Sequence, residues 1–170
     1  MKARLILGAL IAYFLVWGGL IVLLTHLRGA RAEGPAQPIA FSHPLHTEQV
    51  GLDCRHCHTT VDRAAFPGIP AVAVCMDCHR AAAVDRPEVQ KLIRHWTAQE
   101  PIAWTQVHRL PAHVHFTHKR HTAAEVACVS CHGDVRFQDR IRQVRSLKMG
   151  WCVNCHRDRA AGTDCWTCHR

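Results

Sequence analysis

Phe41-Ser42-His43-Pro44-Leu45-His46, a short spacer, then Cys54-Arg55-His56-Cys57-His58: this stretch decides how the chain folds. Its second half is Cys-x-x-Cys-His, the pattern by which haem is attached covalently to a polypeptide. Each thiol forms a thioether with a haem vinyl group, and the adjacent histidine becomes an axial ligand of the iron. The first half offers two more imidazoles, His43 and His46, able to approach an iron from its other face.

The same motif recurs four times. The ten cysteines fall into the pairs Cys54/Cys57, Cys75/Cys78, Cys128/Cys131, Cys152/Cys155 and Cys165/Cys168. A histidine follows each pair at once: His58, His79, His132, His156 and His169. No cysteine is left over. A disulfide framework has no need of the trailing histidine, and zinc sites take Cys-x-x-Cys pairs two at a time, which five pairs do not allow. Five covalently bound haem c groups are the cofactors expected, with those cysteines as thioether donors and those histidines as proximal ligands.

The formal net charge of +8 would suit nucleic acid or an anionic surface. Five haems carry roughly ten propionates, which brings the loaded protein to about −2, and arginine pairs with such carboxylates through its planar fork. The arginine excess is therefore read as propionate partners, and no nucleic acid is expected.

Upstream, Leu5 to Leu24 is an uncharged run of 20 residues, long enough to span a bilayer as a helix. A cleaved signal peptide has an apolar stretch of only about 7–15 residues. Residues 1–28 are accordingly expected to be a retained transmembrane anchor, although Ala30-Arg31-Ala32 resembles a cleavage site. Lys2 and Arg4 on one side balance Arg28 and Arg31 on the other, so charge does not orient the helix. Haem attachment outside the cytoplasmic membrane does, and sets residues 41–170 on the periplasmic side. Residues 29–40, with Gly34, Pro35 and Pro38, form a linker.

About 130 residues then hold five haems, too few to build an independent apolar core as well. The expectation is mostly coil with short α-helices around the haems. Phe41-x-His43-x-x-His46 ahead of Cys54 is repeated as Phe116-x-His118-x-x-His121 ahead of Cys128, which gives modules 41–80 and 116–156 and a fifth haem at 165–169. Between the modules a helix over about 86–99 is predicted. Pro87 suits its first turn, Val89, Leu92, Ile93 and Trp96 share one face, and Glu100-Pro101 ends it. A second helix is predicted over Asp139–Leu147, stopped by Gly150.

Five distal ligands are needed. His43, His46, His118 and His121 are the first candidates because they recur in both repeats. His43 is expected to cap the haem at Cys54, and His46 that of a neighbour. For the fifth position His108 and Met149 stay open, a thioether ligand giving the higher potential. Met76 and His56 lie inside attachment loops, and His95, His113 and His115 read as surface or propionate contacts.

The two Phe-x-His-x-x-His copies resemble class III multihaem cytochromes of the c3 and c7 type. Val74-Cys75-Met76-Asp77-Cys78-His79, the run Trp104–His121, Cys131-His132-Gly133, Lys148-Met149-Gly150-Trp151-Cys152 and Asp164-Cys165-Trp166-Thr167-Cys168-His169-Arg170 narrow the likeness. With the anchor, these resemble the pentahaem subunit of alternative complex III and its relative in menaquinone reductase complexes. That resemblance implies an iron–sulfur subunit akin to molybdopterin oxidoreductases, integral membrane quinol-binding subunits and a monohaem cytochrome as partners. It also implies a relay of electrons from quinol to a periplasmic acceptor or terminal oxidase.

No acid–base or nucleophilic constellation stands out, so no catalytic residue is expected beyond the haem ligands. The competing readings are a self-contained membrane-anchored quinol dehydrogenase and a periplasmic electron shuttle released by cleavage after Ala32. A haem enzyme such as a nitrite reductase needs an open iron site, which the surplus of histidines disfavours.

Overall fold

In the computed structural model, which describes residues 2–32 and 34–169, the chain divides into two units, Met1–Gly34 and Pro35–Arg170. The first is a single helix, α1 (Lys2–Ala32). Its stretch Arg4–His26 has a mean hydropathy of 2.4, and that stretch buries nothing within the chain. Leu5, Phe14, Val16 and Val22 are exposed. A helix apolar on every side, with its backbone bonds satisfied internally, suits a bilayer interior rather than water. The cleavage-like site after Ala32 borders Glu33, which lies outside the described residues.

The second unit is built of short helices and coil, with no strand among the described residues. The helices are α2 (Cys54–Cys57), α3 (Val72–His79), α4 (Pro87–Ala98), α5 (His118–Ala123), α6 (Cys128–His132), α7 (Met149–Asp158) and α8 (Cys165–Cys168). A π-helical turn, Leu45–Gln49, and a 3-10 turn, Val135–Phe137, complete the set.

Only α4 folds as the helix of an ordinary soluble domain. Arg86 leads in with extended backbone, Pro87 takes the first turn, and Val89 and Leu92 are buried. Gln99 ends the helix in the left-handed region, its N–H donating to the Trp96 carbonyl at 3.2 Å. α4 packs on α3. There Ile39, Met76 and Leu92 meet Val72, Cys75, Ile93, Trp96, Ile102 and Trp104, the apolar core of the unit among the described residues. The far end of the linker segment is pinned to it. Gln37 and Thr105 exchange two hydrogen bonds of 2.8 and 3.0 Å, and the Ala40 N–H donates to Glu88 at 2.7 Å. Leu92→Ala is expected to cost about 2–4 kcal/mol, read as a lowered denaturant midpoint of the haem-loaded protein. An unchanged midpoint would mean that this cluster stabilises nothing.

The second predicted helix, over Asp139–Leu147, does not form. Side-chain bonds replace its backbone ladder: the Gln138 side-chain oxygen accepts the Arg142 N–H, and the Gln143 amide donates to the Arg145 and Ser146 carbonyls. Leu147 lies at φ 48, and Gly150 belongs to the first turn of α7 instead of ending a helix. The extended stretch lays Val144 against Gly133. Gly133 sits at φ 68, and a Cβ there would fall 2.9 Å from Val144 Cγ2, so both conformation and space call for glycine.

Candidate functional site

Every Cys-x-x-Cys-His motif sits on a helical turn: α2, the end of α3, α6, the middle of α7, and α8. Helical geometry brings residues i and i+3 to one face, so both thiols of a pair point the same way. The following backbone closes the turn, the His58 and His169 N–H groups donating to the Cys54 and Cys165 carbonyls at 3.0 and 2.9 Å. Asp53 caps α2 by accepting from the Arg55 N–H at 2.8 Å.

All ten expected thioether donors are free thiols in this structure, Cys54, Cys78, Cys128 and Cys165 exposed and the rest half-buried. Cys155 is among the half-buried ones. It lies one turn beyond Cys152 on α7, where its carbonyl accepts the Arg159 N–H at 3.1 Å. Burial, followed by neighbouring thiols, pushes the Cys57, Cys131 and Cys152 thiols up in pKa. For Cys131 the first of those neighbours is Cys155.

The histidines are oriented by backbone carbonyls. Nδ1 of His58 meets Gly68 O at 2.8 Å, His79 meets Ala82 O at 2.9 Å, His156 meets Gly162 O at 2.6 Å and His169 meets His113 O at 3.1 Å. On the other side His46 meets Ser42 O at 2.8 Å, His118 meets Ala65 O at 2.8 Å and His121 meets Thr117 O at 2.9 Å. A carbonyl only accepts, so each Nδ1 carries the proton and each Nε2 keeps its lone pair free for a metal. Burial, with the charges of His58 and His46 behind it, pushes His43 down to about 4. Burial, then His108, His118 and His58, does the same to His132. Both rings are neutral at physiological pH, the state a metal ligand needs.

Ring spacing carries the strongest geometric signal. A metal–nitrogen bond of about 2 Å on each side puts the centroids of two trans imidazoles about 6.3 Å apart. The His46–His79 centroids lie 6.1 Å apart, His118–His132 6.3 Å and His121–His156 6.1 Å. His43 lies near enough to His58 to feel its charge. A phenylalanine organises each His-x-x-His turn: Phe41 lies 4.8 Å from His43 and 4.3 Å from His46, and Phe116 lies 4.8 Å from His118 and 4.5 Å from His121.

The two candidates for the fifth distal position are placed elsewhere. His108 lies edge-on to His132 at 4.5 Å, and Met149 is 70% exposed at the start of α7. His113 is the imidazole beside His169, with centroids 5.3 Å apart and rings tilted by 33°. The adjoining backbone holds the two segments together, the His115 N–H donating to Cys168 O at 2.8 Å. Fifty-six residues separate His113 from His169, so no local pattern could have paired them. His95 instead lines an open cavity of about 350 Å³ with Lys91 and Arg94, and Met76 packs in the core.

Haem c fits this donor set. Among the described residues only Ile39, Met76, Val89 and Leu92 are buried apolar side chains. Phe66, Val129, Phe137 and Trp166, beside or inside the attachment loops, are exposed apolar surface that porphyrin faces would cover. His43 Nδ1 and His108 Nε2 are buried with no hydrogen-bond partner, polar atoms in want of a neighbour.

These turns and imidazoles define the chain as a multihaem c-type cytochrome. Residues 24–103 match the class III cytochrome c family, and residues 114–170 match the family of cytochrome c7 and related cytochrome c. The chain is similar to the menaquinone reductase, multiheme cytochrome c subunit, of Nitratidesulfovibrio vulgaris (strain Hildenborough), at 25% identity over 161 residues. The match covers 79% of this chain and 77% of that relative. Covalently bound haem c and electron transfer follow from this class.

Proposed function

We propose that the chain carries five haem c groups, each held between two histidines, and serves as the electron-relay subunit of a membrane-bound, quinol-oxidising respiratory complex. The observation that carries this is the spacing of the imidazoles, three pairs at 6.1–6.3 Å with Nε2 left free. The pairs are His43 with His58, His46 with His79, His118 with His132, His121 with His156, and His113 with His169. His113 replaces His108 and Met149 in the fifth pair on proximity alone. Haem supplies reversible one-electron chemistry when bound. The chain's residues hold each group, fix the imidazole tautomers and wall off both iron faces. Two histidines per iron leave no position for a substrate, which supports a relay over a haem enzyme.

Helix α1 anchors the unit in the cytoplasmic membrane as a single pass, with residues 41–170 on the periplasmic side, where haem c is attached. The relative's membership of a menaquinone reductase supports the same setting. Alternative complex III, with integral quinol-binding subunits, an iron–sulfur subunit of molybdopterin-oxidoreductase type and a monohaem cytochrome, is the assembly that fits. Copurification from gently solubilised membranes tests it: the chain should come down with iron–sulfur and integral membrane companions. The chain purified alone, with its haems reduced by quinol unaided, would instead make it a self-contained quinol dehydrogenase. A mature chain starting after Ala32 would make it a shuttle.

A further inference from the structure

The chain does not reach its attachment sites in the order in which they lie in space. Within each repeat two sites share one aromatic wedge. Phe41 touches both His43, beside the first site, and His46, which faces His79 of the second. Phe116 likewise touches His118, which faces His132 of the third site, and His121, which faces His156 of the fourth.

The two repeats are joined through their first members. The His118 backbone N–H and its Nδ1–H both donate to Ala65 O, at 3.0 and 2.8 Å, and the Lys119 N–H donates to Ala64 O at 3.1 Å. Ala64 and Ala65 belong to the loop that also orients His58 through Gly68. Ser42 donates to Asp139 at 3.1 Å, and Arg136 reaches Glu48 at 3.7 Å.

The fifth site attaches at the fourth. Gly162, whose carbonyl orients His156, lies against Thr167 inside the fifth attachment loop, where an added Cβ would fall 3.0 Å from Thr167 Oγ1. At the opposite end, the second site meets protein. Cys75 and Met76 pack against Leu92, Trp96, Ile102 and Trp104, and α4 closes that flank.

We propose that the five attachment sites form one unbranched row in the order second, first, third, fourth, fifth: Cys75/Cys78, Cys54/Cys57, Cys128/Cys131, Cys152/Cys155, Cys165/Cys168. The two repeats meet back to back at the first and third sites, and the fifth extends one arm. The row ends at the second site, which α4 flanks, and at the fifth. Removing the third attachment pair would divide the row. This inference rests on the five-haem reading.

Two measurements on the haem-loaded protein test it. Iron positions from a cryo-EM or crystal structure should make each consecutive pair in that row nearest neighbours. An iron at the second site nearest to the third, or one at the fifth nearest to the first, would overturn the row. In solution, His121→Met should shift the midpoint of the fourth haem most in an NMR-monitored redox titration. The third and fifth haems should shift less, and the second should not move. A second haem that responds as strongly as the third would contradict the order. Five haems in another order defeat the row alone, whereas fewer than five attached haems defeat the reading beneath it.

Discussion

His46→Ala is expected to turn one haem high-spin, and that haem is the one bound at Cys75 and Cys78 rather than the nearer one in sequence at Cys54 and Cys57. His46 lies one helical turn beyond His43 on the same Phe41 ring, yet its own ring faces His79 at 6.1 Å. Its Nδ1–H is spent on Ser42 O, so Nε2 is the atom that can reach a metal. Removing it leaves one iron five-coordinate, and about one fifth of the haem should show the high-spin signal in EPR and optical spectra. His43→Ala should produce the same fraction from the haem at Cys54. His113→Ala should do so from the haem at Cys165, while Met149→Leu changes no spin state. A His46 variant that altered only the Cys54 haem would break the picture of one turn serving two haems.

The second large effect concerns folding. Made without haem attachment, residues 35–170 are expected to show no cooperative unfolding transition and to be digested rapidly by protease. The four buried apolar side chains among the described residues, each worth about 1.5–3 kcal/mol, are a core fit for a far shorter chain. Ordering the backbone costs about 1–2 kcal/mol for each residue, and most attachment turns are helices of four or five residues that cannot persist alone. The covalent porphyrins must therefore supply both the interior and the cross-links. An apoprotein with a sharp thermal transition near that of the loaded form would refute this dependence. The α3–α4 cluster is the part expected to keep residual helix, because its packing is between side chains.

This division explains what could be read in advance. Attachment turns are local, since Cys-x-x-Cys-His fixes two thiols and a ligand within five residues, while α1 is an unbroken apolar run and α4 a periodic pattern, each long enough to be unambiguous. The repeat at Phe41 and Phe116 also raised the expectation that one turn serves two sites, because both copies carry the same pair of histidines. His113 was hidden for the opposite reason. It pairs with His169 through the approach of two distant loops, and nothing in Pro111-Ala112-His113 marks it apart from His108 or His115. The helix expected over Asp139–Leu147 failed because Ile141 and Val144 have helical spacing, but Val144 is claimed by Gly133 and glutamine side chains capture the backbone. In a chain organised around prosthetic groups, weak periodicity loses to whatever covers the porphyrins.

All five motifs are held to carry haem at once, and intact-mass spectrometry of the chain purified from its own membranes tests this most directly. The expected mass is that of the polypeptide plus five covalently bound haems, with no free thiol left to alkylate. Fewer than five haems, or thiols that react with an alkylating reagent in the denatured protein, would contradict it.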